Sequence, residues 1–240
     1  MVASHFHEQM KRLNEDLLKM GGLAEEAVDQ ASRSLITRTR ADLARQVIRN
    51  DSRVNDMENG IDEQCIKLLA TQQPVAVDLR FLTAALRISA ILERTGDEAV
   101  NIAERALVIH ELNPMDEIPP TLMEMSVLAQ EMTRKSLDAF VRKDVSLAYD
   151  VCCQDDELDD LNRRLLEEMI RWMMDEHRLI RRGVELILAG RHFERIGDQA
   201  TNIAEAVVFL VEGLEIRHQG GEICQDAIKE RTSSGNSNQK

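Results

Sequence analysis

Two stretches of this chain, Glu93–Glu104 (ERTGDEAVNIAE) and Glu194–Glu205 (ERIGDQATNIAE), share nine of twelve residues at a spacing of 101. Each carries an acidic pair at i,i+4, Glu93 with Asp97 and Glu194 with Asp198, followed one helical turn on by Asn101 and Asn202. On a helix such neighbours stand roughly 5–6 Å apart, and like charges there destabilise it by about 0.2–0.5 kcal/mol. The same cost recurs at matching places, and a bound cation is the simplest group that offsets it. Outside these windows the halves are weakly similar, so the chain reads as two copies of one unit that kept little else.

More acids join the pattern upstream. Asp51 with Asn55, and Asp155 with Asp159, each stand one step beside an apolar position, Val54 or Leu158. Glu93, Asp97, Asn101 and Glu104 likewise lie one step beside the apolar stripe Leu92, Gly96, Val100, and the second copy repeats this with Glu194, Asp198, Asn202 and Glu205. If the two helices of each half pack antiparallel, the polar stripes face each other across a shallow groove lined by oxygen ligands. Such ligands suit Mg, Mn, Ca or oxidised iron, and several acids together can bridge more than one ion. Gly96 and Gly197 fit this picture: glycine inside a helix costs about 1 kcal/mol against alanine, which suggests that no side chain fits there. The competing reading is a solvated face, with Arg94, Arg191 and Arg195 forming ion pairs to the same acids.

Long helices must position these stripes. Val47, Val54, Ile61 and Leu68 recur seven apart with Met57 between, and Leu82, Leu86, Ser89, Leu92, Gly96, Val100, Ala103 and Leu107 form a second stripe. Breakers fall at Gln72-Gln73-Pro74 and at Asn113-Pro114 through Pro119-Pro120. The pattern predicts helices near 4–38, 41–71, 76–111, 120–141, 144–175 and 179–214. Leu43, Ala44, Val47, Asp51 and Asp56 match Leu147, Ala148, Val151, Asp155 and Asp160 at a spacing of 104, so each half holds three helices. Long helices joined by short loops fold back antiparallel. The expected architecture is all-α, with two tandem three-helix bundles at 1–112 and 120–215, a linker at 113–119 and a disordered tail at 216–240. One continuous six-helix array is the alternative.

Composition narrows the function. Aromatics are 3% of residues, and the formal charge is −13. So acidic a surface repels nucleic acid and anionic lipid and favours metal cations or basic protein patches. There is no apolar run long enough to span a membrane and no apolar signal core, so neither membrane insertion nor secretion by that route is expected. Cys65, Cys152, Cys153 and Cys224 have no zinc-knuckle or C-x-x-C spacing, and reduced cytoplasmic thiols are expected. Met10, Met20 and the group Met169, Met173 and Met174 read as core filler. The one Glu-x-x-His spacing, Glu215–His218, is unmatched in the first half, and His5, His7, His110, His177 and His192 are scattered. No P-loop, dinucleotide-binding or nucleophile motif nominates a catalytic centre.

The duplicated E-R-x-G-D-x-A-x-N-I-A-E, with Asp78-Leu79-Arg80 opening the third helix after a Gln-Pro turn, resembles the PhoU family over about residues 5–215. That resemblance implies two three-helix bundles with pseudo-twofold symmetry, a cytoplasmic and often dimeric protein, and metal ions at E(D)-x-x-x-D motifs, with Fe, Mn, Mg or Zn as candidates. The motif positions are Glu93 and Asp97, then Glu194 and Asp198. Asp155 and Asp159 also fit, whereas Asp51 is followed by Asn55, so fewer ions are expected in the first half. The implied role is negative regulation: an adaptor linking a phosphate-specific ABC transporter, through its ATPase subunit, to a sensor histidine kinase, and restraining phosphate uptake. A carboxylate-bridged metalloenzyme acting on phosphate compounds is the alternative, and it needs an open coordination position and a base that no motif supplies.

Overall fold

The computed structural model describes residues 2–37, 40–112 and 118–216, with side chains from residue 5 onward. Six long helices account for nearly all of it: α1 Val2–Ile36, α2 Ala41–Gln72, α3 Ala76–Glu111, α4 Pro120–Arg142, α5 Val145–Asp175 and α6 Ile180–Glu212. Among the described residues there is no strand. The ends follow local chemistry. Pro120 opens α4, where its missing N–H costs nothing. The Asp144 carboxylate caps α5 by accepting from the Leu147 amide at 3.0 Å. Gly213 closes α6 in the left-handed conformation. A short 3-10 turn, His177–Leu179, precedes α6 and was not anticipated from the periodicity.

Helices α1, α2 and α3 pack as one bundle and α4, α5 and α6 as a second, related by pseudo-twofold symmetry. In α1 the buried Leu13, Leu17, Met20, Ala24, Val28, Ala31 and Leu35 recur three or four residues apart, a single apolar stripe facing the core. The expected α2 stripe Val47, Val54, Ile61 and Leu68 is buried, extended by Ala44 and Cys65. The bundles meet chiefly along α3 and α6, with α1 touching α4. These two helices run antiparallel: Arg87 lies 4.8 Å over the Phe209 ring, while Arg105 reaches Glu185 at 3.1 Å. The buried side chains of both bundles form one continuous core.

Several expectations change in detail. Leu86, Val100, Leu107 and Met57 are only partly buried, and Met174 is 72% exposed and so is not core filler. Ile216, placed in the tail by sequence, packs into the core at 6% exposure. The rest of the tail and most of the linker lie outside the described residues. Burial, with nearby carboxylates adding to it, pushes the free thiols of Cys65 and Cys152 up to about 12, which disfavours the thiolate at both.

Candidate metal centres

The antiparallel packing of α2 on α3 brings the first set of acids together. Asp51, Asn55, Glu58 and Asp62 follow one face of α2 at intervals of four, three and four residues. Opposite them on α3 stand Glu93 and Asp97. Gly96 permits the approach, since a β-carbon there would lie 3.6 Å from Asp51 Oδ1. Asn55 Nδ2 donates to Asp51 Oδ2 at 3.1 Å. Asp51 Oδ1 and Asn55 Oδ1 are both buried with no hydrogen-bond donor. Two lone oxygens in one groove are an uncompensated cost that a hard cation would remove.

Burial and mutual repulsion shift several of these acids in one direction. Burial, then Asp97, Glu58 and Asp51, raises the Glu93 carboxyl above its ordinary value. Asp97 is raised by burial, Asp51 and Glu98, and Glu58 by burial, Asp62 and Asp97. Carboxylates neutralised by arginine would shift down. These shift up.

The second set forms where α5 packs on α6. Asp155 is pushed up to about 6 by burial, then by Asp198 and Asp159, against a weak hydrogen bond from Thr201 Oγ1 at 3.4 Å. Asp198 also rises to about 6, through burial and the charges of Glu194 and Asp159. Glu194 is raised by burial and Asp159, despite Arg191 and Arg195. Arg195 makes its ion pair with Glu98 at 3.4 Å rather than with Asp198. Among the described residues, Arg94, Arg191 and Arg195 form no direct ion pair with the acids of either cluster.

Asn101 and Asn202 lie at the α3–α6 seam. Asn101 Nδ2 donates to Glu98 at 3.4 Å, and Asn202 lines a cleft with Arg87 and Arg94 of α3. Among the described residues neither is hydrogen-bonded to the facing carboxylates of α2 or α5. Glu104 pairs with Arg105 at 3.5 Å. The glycine expectation holds for one copy only. A β-carbon at Gly197 would overlap Leu158 Cδ2, whereas at Gly96 it would meet only ordinary contacts, because the shorter Val54 stands at the position matching Leu158.

Glu58 was missed. It lies two turns after Asp51, a spacing legible in the sequence, but its counterpart 104 residues on is Asn162. The copies have exchanged an acid by one turn: Asn55 and Glu58 in the first, Asp159 and Asn162 in the second. Each cluster thus has at least four facing carboxylates. Asp51, Glu58, Glu93 and Asp97 could hold metal in one, and Asp155, Asp159, Glu194 and Asp198 in the other. The groups are spread over two turns, and among the described residues no three converge tightly enough to cage an ion in their present rotamers. Also among those residues, no helix is long and apolar enough to cross a membrane.

The duplicated architecture has known relatives. A family model described as the PhoU domain matches twice, at residues 17–106 and 122–207, once per bundle. The chain is 38% identical over 219 residues to a Pseudomonas aeruginosa protein named phosphate-specific transport system accessory protein PhoU homolog, covering 91% of this chain and 90% of that protein. A protein of the same name from Aquifex aeolicus is 36% identical over 212 residues, covering 88% and 95%. The crystal structure of PhoU from Pseudomonas aeruginosa superposes with a TM-score of 0.82 at 38% identity, over 87% of this chain and all of that one. That of the phosphate transport system regulatory protein PhoU from Streptococcus pneumoniae gives 0.80 at 28% identity, over 88% of this chain and 98% of that one. With the family model matched in both halves and the relatives matched nearly end to end, the chain belongs to the PhoU family.

Proposed function

We propose that this protein is a negative regulator of the phosphate-starvation response. It works as an adaptor between a phosphate-specific ABC transporter, met at its ATPase subunit, and a sensor histidine kinase, and it restrains phosphate uptake. The observation that carries this reading is end-to-end likeness to proteins named as accessory to a phosphate-specific transport system, with both repeats present. The adaptor acts in the cytoplasm as a homodimer. Fe, Mn, Mg or Zn at the carboxylate clusters would bridge α2 to α3 and α5 to α6, neutralising repulsion and stiffening each bundle's outer pair of helices. The excess negative charge steers the protein toward basic patches on its partners, an attraction screened over roughly 10 Å at 0.1 M salt.

Deleting the gene should switch on phosphate-starvation genes in phosphate-rich medium. Affinity purification at low salt should recover the kinase or the transporter ATPase. A second reading, a metal-dependent phosphohydrolase, draws on Asp155 and Asp198, whose carboxyls ionise near 6, a range suited to a general acid or base. Intact repression in the deletion strain, with metal-dependent phosphoester turnover by the pure protein, would replace the first reading by the second.

A further inference from the structure

A cleft of about 470 Å3 opens where the N-terminal parts of α1 and α3 meet the C-terminal ends of α4 and α6. Its walls are apolar. Phe81 and Leu210 line the deeper part, and Val77, Val141 and Val211 at the mouth are 63%, 57% and 38% exposed. Around them stand three cations, Lys11, Arg80 and Lys143, against the single carboxylate of Asp78. In a chain of net charge −13 this runs against the prevailing sign. The cations are also largely unengaged. Neither Arg80 nor Lys143 has an ion-pair partner among the described residues, and Lys11 reaches only Glu15, at 3.8 Å on the surface. Arg80 Nε is buried without a hydrogen-bond acceptor. Lys143 sits at a left-handed position, φ 53°, where a β-carbon costs about 1–2 kcal/mol and glycine is the usual helix terminator.

We propose that this cleft docks an amphipathic segment of another protein, one that carries carboxylates between apolar side chains. The volume lies in the range of about 300–1,000 Å3 typical of ligand sites. The half-exposed valines at its mouth favour a peptide over a lipid tail, which would stay wet along the open side. Apolar side chains of the segment cover Val77 and Val141, and its carboxylates engage Arg80 and Lys143, supplying the acceptors that this chain does not. The proposal does not depend on the metal clusters or on the regulatory reading.

The test is selection of a random peptide library on the full-length protein, with the affinity of the enriched peptides measured at two salt concentrations. Acidic, apolar peptides are expected, bound more weakly at high salt. Arg80→Glu with Lys143→Glu should weaken them by at least about tenfold, and Val141→Asp should do so separately. Lys143 and Val141 are exposed, so Lys143→Glu alone and Val141→Asp should keep the helical signal and melting temperature of the parent, and they carry the test if the change at the partly buried Arg80 lowers stability. Enrichment without acidic bias, no enrichment, or unchanged affinity in the double charge variant overturns the proposal. So does a shift of that variant from dimer to monomer in sedimentation with peptide affinity unchanged, which would make a second copy the occupant. Displacement of the peptides by decanoate, with decanoate bound the more tightly, would assign the cleft to a small anionic amphiphile instead.

Discussion

His192 Nδ1 on α6 lies 2.6 Å from Glu98 Oε2 on α3, with both side chains at least four-fifths buried in the seam between the bundles. Burial alone would raise the Glu98 carboxyl, but the hydrogen bond and charge of His192, with Arg195 behind them, hold it below its ordinary value. The pseudo-twofold axis does not repeat this pair. Ile91 and Gln199 occupy the matching positions, and Gln199 Oε1 is buried with no donor. Glu98→Ala should therefore cost about 1–3 kcal/mol by stranding its partners, whereas Gln199→Ala should be near neutral. Urea melts of Glu98→Ala, His192→Ala and the double variant would measure the coupling, and strictly additive losses would show that the pair holds nothing together.

The two motif glycines should respond oppositely to alanine. At Gly96 the new methyl meets Asp51 and Val54 at 3.6 Å, an ordinary contact, so the gain in helix propensity of about 0.5–1 kcal/mol should prevail. At Gly197 it overlaps Leu158, which is 1% exposed and has little room to move, so a loss of about 1–3 kcal/mol from overpacking should outweigh that gain. Melting temperatures that move the same way in both variants would contradict this.

The six helices were legible because apolar spacing near 3.6 runs unbroken for thirty residues at a time and each stop is marked by proline, glycine or a polar run. The seam was less legible. Ile91, Ile102 and Ile109 share a stripe with Arg87, Glu98 and Arg105, so α3 is apolar on a second face, but charges interleaved along that stripe disguise it. The carboxylate motif was legible through duplication, and the same duplication hid Glu58, whose counterpart is an amide. Asn101 and Asn202 could be assigned to the acids or to the seam, because i+4 from the acids and the seam lie on adjoining arcs of the helix. Only the partner helix decides between them.

Glu58 should count as a ligand of the first cluster. Glu58→Gln should lower metal content to about the extent that Asp97→Asn does, while leaving the second cluster loaded. Elemental analysis of both variants, each against the quadruple alanine change at Glu93, Asp97, Glu194 and Asp198, checks this. Full stoichiometry in Glu58→Gln beside a loss in Asp97→Asn would return the site to the ligands read from sequence.

Metal-free protein should become more stable on mild acidification. Asp155 and Asp198 bind a proton near 6 when folded, against an ordinary value of 3.8. A group raised in this way opposes folding while ionised, and that opposition fades as pH falls through about 6 toward 4. Glu98 and Glu131 shift downward, so their contributions are lost only below the ordinary 4.5 and do not mask the effect. Urea midpoints of chelator-stripped protein should therefore rise from about pH 7 to about pH 5. With metal present the trend should reverse, because protons compete for the ligands. A midpoint that falls across this interval without metal would mean that the clustered acids are not mutually repelled.

Residues 1–112 and 120–215 should each form helices when separated, since each keeps three amphipathic stripes, but neither should match the intact chain in stability. The reason lies in α3 and α6. Ile91, Ile102 and Ile109 are at most 8% exposed in the whole molecule, and the cross-seam pairs Glu98–His192 and Arg105–Glu185 place their stripe against α6. Cutting the chain in two returns those side chains to water, at about 1.5–3 kcal/mol for each large one fully re-exposed. Mixed fragments should re-associate, and Ile102→Asp should block this while leaving the helical signal of the first fragment intact. Fragment melts as cooperative and as high as that of the whole chain, with no association on mixing, would mean that the two bundles are independent domains and that the seam is incidental to stability.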